Sequence, residues 1–240
     1  MQRIAVAAHK GGSGKTTVSV NLAGALVSAG HRVLVVGVDP QGAAAAALGV
    51  TVAEPTLYEV LMGHARPSEA IQPTSIEGLS VLPANLDLAG AEVELPQTPA
   101  WQSALRKALS TVRDYDVMVI DTAPGLGVLP YIALTAADRV LVVCPPDYLS
   151  LRALPTVLDA ATRARVPLIG IVPNKVEGRT RHEAQVLEVL HAEHGTSLLP
   201  EIPGRVVLRD ATIAGEPVSA YAPHSDAAAA FDRLAKEVMA

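Results

Sequence analysis

The sequence predicts an α/β fold, a mostly parallel, twisted sheet with helices packed on both faces. Two observations carry this. Short apolar runs without polar alternation recur at 3–8, 32–38, 117–121, 139–144 and 168–173, the pattern of strands buried on both faces. Most are followed by a turn and then a helical pattern, the alternation that builds a parallel sheet through crossover helices. A third observation adds chemistry: between the first run and the first helix lies His-Lys-Gly-Gly-Ser-Gly-Lys-Thr-Thr, residues 9–17.

In chain order, a shorter candidate strand covers 79–82. Helical patterns fall at 16–29, 42–48, 56–62, 98–112, 127–136, 150–163, 180–194 and 225–239. The last opens on Ser225-Asp226, a good N-cap pair, and places Ala229, Phe231, Leu234, Ala235 and Val238 on roughly one face. Alanine runs at 43–47 and 227–230 favour helix rather than linker. No internal repeat and no linker-like tract interrupts the chain, so residues 1–240 read as one domain. That length suffices for a sizeable core. With aromatics at 3%, the core must be built from Ala, Val, Leu and Ile.

Composition narrows the function classes. The formal charge of −5 argues against a protein that is basic all over. Between Arg152 and Arg209, however, eight Lys/Arg stand against six Asp/Glu, a surplus that matters only if several arginines share a face. The single cysteine, Cys144, ends an apolar strand and excludes both an internal disulfide and a Cys-rich metal site. No uncharged apolar run approaches the ~18 residues of a membrane span. The apolar stretch before His9 is too short for a secretory signal. Together these features indicate a soluble cytoplasmic protein.

Ligands of open α/β sheets sit at the carboxyl ends of the strands, and three chemical signals fall there. In the run 9–17, a glycine-rich turn at a helix N-terminus aims unpaired N–H groups and the positive end of the dipole at one point, a phosphate cradle. Lys15 would reach the β- and γ-phosphates, and the Thr16 hydroxyl would sit on Mg²⁺. The strict pattern GxxxxGK[ST] demands glycine at position 9; this chain has His9 there and carries a second lysine, Lys10. The second signal, Asp39-Pro40-Gln41-Gly42, offers a carboxylate to orient an attacking water, with an Asp-Pro turn as the competing reading. The third, Asp121-Thr122-Ala123-Pro124-Gly125-Leu126-Gly127, ends an apolar strand on a carboxylate, the expected Mg²⁺ partner or else a helix cap.

KGGSGKTT, VDPQG and YDVMVIDTAPGLG resemble the ParA/Soj partition ATPases, in the deviant Walker A class that also holds MinD. TLYEVLMG (56–63), VLPANLDLAGAEVEL (81–95), PPDYLSLRAL (145–154) and RDATIAGEPVSAYAPHSDAAAAFDRLAKEV (209–238) follow the family pattern in order. The resemblance thus covers nearly the whole chain and implies a single-domain P-loop NTPase. It implies that Lys10 is the signature lysine, reaching across an ATP-sandwich dimer to the partner's phosphates. Gly11, Gly12, Ser13, Gly14, Lys15, Thr16 and Thr17 would form the phosphate loop. Asp39 would be the carboxylate needed for hydrolysis and Asp121 the Walker B aspartate, both grouped with Thr16 at the metal. Asn174 and Pro203 would lie against the adenine. Arg179, Arg205 and Arg209 would contact DNA without reading bases, through phosphate neutralisation.

Departures limit the transfer. Gly37 stands where many members have a second aspartate, Ser13 replaces the commoner valine, and Val207 occupies a position that is usually arginine. The family further implies slow ATP hydrolysis, a ParB-like activator, association with the nucleoid and a chromosome or plasmid as cargo. The short N-terminus leaves no room for an added helix-turn-helix domain. Three rival readings exist. A MinD-like ATPase cycling on membranes should end in a basic amphipathic helix, and nothing is left for one after the helix that closes at Ala240. An iron–sulfur carrier of this fold needs paired cysteines. A nucleotide-gated scaffold that barely turns over is disfavoured by the presence of Lys15, Thr16, Asp39 and Asp121 together.

Overall fold

The structure, a computed structural model, describes residues 1–240. Eight strands form one sheet: β1 (Gln2–Ala7), β2 (Val33–Val38), β3 (Gln72–Pro73), β4 (Leu79–Leu82), β5 (Val117–Thr122), β6 (Arg139–Cys144), β7 (Leu168–Val176) and β8 (Ile202–Pro203). Their spatial order is β3-β4-β2-β5-β1-β6-β7-β8. All pairings are parallel except β3 with β4.

Between and after the strands run α1 (Lys15–Ser28), α2 (Ala43–Ala47), α3 (Leu57–Met62), α4 (Pro67–Ala70), α5 (Ala91–Glu94) and α6 (Ala104–Leu109). They are followed by α7 (Val128–Ala136), α8 (Tyr148–Arg163), α9 (Arg181–His194), α10 (Val206–Ala214), α11 (Val218–Tyr221) and α12 (Asp226–Met239).

The pleat explains the two-sided core. Successive residues of a strand face opposite sides, so β1 sends Ile4 and Val6 to one layer and Ala5 and Ala7 to the other. The first layer packs under α1, α2 and α12, around the fully buried Phe231. The second packs under α3, α6, α7, α8 and α9. Helix α1 is buried over ten of its residues because α12 and α11 cover its outer side. The Asn21 side chain accepts from the Val218 N–H at 2.6 Å and donates to the Thr17 carbonyl at 2.8 Å, which ties α11 to it.

The amino ends of the central strands are locked by two matching clasps. Arg3 donates its N–H and Nε to one oxygen of Asp138 and its terminal nitrogen to the other, while the Asp138 N–H returns a bond to the Arg3 carbonyl. Arg32 and Asp116 repeat the pattern between the starts of β2 and β5. The clasps thus fix β1 against β6 and β2 against β5.

One expected element differs. The helix read over 98–112 is instead a single 3₁₀ turn at Trp101–Ser103 followed by the short α6. Ala100, directly after Pro99, adopts φ 56°, which no helix interior accepts. Strands β3 and β8 and helices α4, α5, α10 and α11 have no counterpart in the sequence reading. Pro203 is the second residue of β8.

Candidate functional site

All three sequence signals converge at the carboxyl edge of the sheet. The loop joining β1 to α1 turns through Gly12 (φ 75°) and Gly14 (φ 89°), left-handed conformations that glycine adopts without steric cost. At Gly14 a side chain would also collide with the Asn174 amide. The N–H groups of residues 11–17 donate to no acceptor of the protein, and they open the N-terminus of a 14-residue helix. Unpaired amides gathered at a helix start form an anion site.

Lys15, the first residue of α1, is buried. Burial draws its ammonium below the ordinary lysine range, opposed by the charges of Asp121 and Asp39. Asp121 lies in β5, wholly buried, and accepts from Thr16 Oγ1 at 2.8 Å and from Ser19 Oγ at 2.9 Å. Burial pushes its carboxyl up to about 6, against the pull of those two hydroxyls and of Lys15; Asp39 adds to the rise. The Thr16 hydroxyl and the Asp121 carboxylate thus form a paired set of hard oxygen donors, the kind that holds Mg²⁺ alongside substrate phosphates. The loop after β5 is tied to the phosphate loop by the Gly125 N–H on the His9 carbonyl at 3.0 Å.

Asp39 directly follows β2, half-buried, and one carboxylate oxygen accepts the Gln41 N–H at 3.0 Å. The turn role and a position lining the cleft coexist in this residue. Lys10 is exposed, its Nζ 3.7 Å from Asp147, the residue that caps α8 through Ser150. The Ser13 hydroxyl does not face the open cleft. It is buried without a partner and lines a small cavity of about 10 Å³, beside Cys144 and Ser150. Burial pushes the Cys144 thiol up to about 12, with Asp147 adding to it, so the sulfur is inert at neutral pH.

The cleft itself measures about 870 Å³ and runs from Gly11–Thr17, past Asp39 and Pro124, to Asn174, Pro203 and α10. Arg179, Arg205 and Arg209 line its far rim. Arg205 is paired with Asp226 at 2.7 Å and Arg179 with Glu177 at 3.6 Å, whereas Arg209 forms no ion pair. Val207 packs against the core, which removes that position from the rim. Asn174 is buried, and its amide donates to the Ser13 carbonyl at 2.8 Å. Its neighbour Lys175, which sequence reasoning passed over, reaches the Gly12 carbonyl.

A glycine-rich loop of unpaired amides, a buried lysine and a hydroxyl–carboxylate pair on a parallel sheet define a P-loop nucleoside triphosphatase. Comparison with known proteins sharpens this. The AAA domain family model matches residues 1–166. The chromosome-partitioning ATPase Soj of Thermus thermophilus is 40% identical over 247 residues, covering 100% of this chain and 96% of the relative. The chromosome partitioning protein ParA of Caulobacter vibrioides is 36% identical over 248 residues, 98% of this chain and 93% of that protein. A crystal structure described as cobyrinic acid a,c-diamide synthase of Mycobacterium smegmatis, with bound ATP analogue and magnesium, superposes with a TM-score of 0.85 at 33% identity. It covers 98% of this chain and 93% of that one. The chain belongs to the ParA/Soj family of P-loop ATPases.

Proposed function

We propose that residues 1–240 act as one ATPase domain that binds Mg-ATP in the cleft, dimerises around it, holds DNA non-specifically as the dimer and is reset by hydrolysis. The observation that carries this reading is the set of unpartnered amides at 11–17, placed beside buried Lys15 and the Thr16–Asp121 pair. The amides and Lys15 would take the phosphates, and Thr16 and Asp121 would hold the metal, with Asp39 close enough to contribute. Magnesium there would neutralise charge between the β- and γ-phosphates. Asp39 would orient the attacking water. Asn174 would hold the loop that cradles the phosphates, and Pro203 would flank the base.

Dimerisation is supported by what surrounds the loop. Leu86, Leu126, Tyr148 and Leu149 follow the carboxyl ends of β4, β5 and β6, and all four are exposed. Exposed large apolar side chains ringing a charged site mark a docking face. Lys10 stands on the same face, where a facing copy would receive its ammonium on developing phosphate charge. Loss of the γ-phosphate would remove what both copies grip, coupling hydrolysis to release. A ParB-like activator, slow basal turnover and action on the nucleoid in the cytoplasm complete the reading, on the strength of the Soj and ParA relatives. No helix is long and apolar enough to cross a membrane.

DNA retention with ATP, with ADP and without nucleotide, at two salt concentrations, tests the proposal. ATP-dependent retention that falls steeply with salt is expected. Retention indifferent to nucleotide would overturn it. Arg209→Glu is the cleanest probe of the rim, because that guanidinium is free of ion pairs. Nucleotide affinity measured in parallel separates loss of DNA from loss of ATP.

A further inference from the structure

Two consecutive residues of β7 pin two consecutive carbonyls of the phosphate loop. Asn174 Nδ2 donates to the Ser13 carbonyl at 2.8 Å, and Lys175 Nζ donates to the Gly12 carbonyl at 2.6 Å. Neighbouring side chains of a regular strand point to opposite faces, so both cannot reach one loop from an unbroken strand. The break is present. The register between β7 and β8 shifts between Asn174 and Val176, leaving Lys175 as the extra residue of a bulge. Lys175 takes φ 65°, one of three non-glycine residues in the left-handed region. Bulges next to sites re-aim side chains, and this one turns a cation over the cleft, which Lys175 lines.

We infer that Lys175 is a positioning residue that clamps the phosphate loop in its nucleotide-binding conformation. The inference rests on reading the cleft as the Mg-ATP site. A trans peptide places C=O and the following N–H on opposite sides. Pinning the Gly12 and Ser13 carbonyls toward β7 therefore directs the Ser13 and Gly14 N–H groups the other way, where no protein acceptor takes them. The loop does not hold itself. A Cβ at Gly11 or Gly12 would meet nothing within 4 Å, so neither glycine is wedged by packing, and glycine resists peptide rotation least of all residues. An external charge-assisted bond on Gly12 supplies the missing constraint. A left-handed lysine is disfavoured, and the bond to Gly12 is what offsets that strain.

The test measures the affinity of the full chain for Mg-ATP and Mg-ADP in the wild type, Lys175→Met, Lys175→Gly and Lys175→Arg. Methionine keeps a long stem without the donor. Glycine relieves the backbone strain and also lacks the donor. Arginine restores a donor. Loss of the clamp is expected to weaken ATP and ADP alike by about tenfold in the Met and Gly variants, the factor one charge-assisted hydrogen bond supplies. Lys175→Arg should recover most of it. Unchanged affinity in Lys175→Met, or wild-type affinity in Lys175→Gly, overturns the clamp. A loss confined to ATP also overturns it, because that would be a direct γ-phosphate contact. A wild-type chain that binds neither nucleotide defeats the reading of the cleft, and the clamp with it.

Discussion

Ser13 shows how one side chain departs from its surroundings. Its Oγ is the sole buried side-chain polar atom of the molecule without a hydrogen-bond partner, and such a group costs about 1–3 kcal/mol. Ser13→Ala is expected to raise the unfolding free energy by about 1 kcal/mol, read from urea midpoints at constant m value; a lower midpoint would show that the hydroxyl is satisfied. The sequence put Ser13 in the phosphate loop, and the loop backbone turns its hydroxyl inward. At this scale the legible placements were those that follow from spacing. Lys15, Thr16 and Asp121 meet as the motif spacing requires. Asn174, expected against the adenine, lines the cleft and also donates its amide to the Ser13 carbonyl. Lys175 was illegible because its reach depends on a bulge, and no hydrophobic period records a bulge.

Among the elements, most long apolar strands and amphipathic helices were read within two residues, since burial on two faces leaves a strong compositional trace, but β7 runs three residues past its expected end and the helix expected over 98–112 is confined to α6. What escaped was short or exposed. Helix α10 shows Val206 and Ile213 to solvent, so its apolar residues do not report a buried face. β3 and β8 have two residues each, too few for any period. The Arg–Asp clasps joined residues more than eighty positions apart and were equally hidden. They have a measurable consequence. The Arg32 guanidinium and its backbone N–H hold the Asp116 carboxyl down to about 2 from 3.8. A carboxylate depressed in the folded state stabilises the protein above its unfolded value and loses that contribution as pH falls through the folded one. Stability should therefore decline between about pH 4 and about pH 2, and Asp116→Asn should flatten that limb of the curve. Identical acid limbs would show that the clasp is absent in solution. On the opposite side of the sheet from α7, Phe231 of α12 is the largest fully buried side chain. Phe231→Ala should lower the unfolding free energy by about 3–5 kcal/mol, and a change under about 1 kcal/mol would mean that α12 does not pack as described.

For the whole molecule, the prediction concerns assembly. Asp39→Ala removes the candidate water-orienting carboxylate but leaves the loop amides, Lys15 and the Thr16–Asp121 pair untouched. Sedimentation of that variant with saturating ATP should give a persistent dimer, while Lys15→Ala should remain monomeric for want of nucleotide. A monomeric Asp39→Ala protein that still binds ATP would separate the nucleotide site from the proposed docking face.

The two ends of the sheet point the same way. Each outermost strand is two residues long and contains a proline, Pro73 on one flank and Pro203 on the other. A proline has no amide proton to offer, and a dipeptide gives an incoming chain almost no ladder to extend. Growth by adding backbone to either flank is thereby closed off. Higher-order assembly of this protein, filaments included, is expected to be built from side chains meeting face to face.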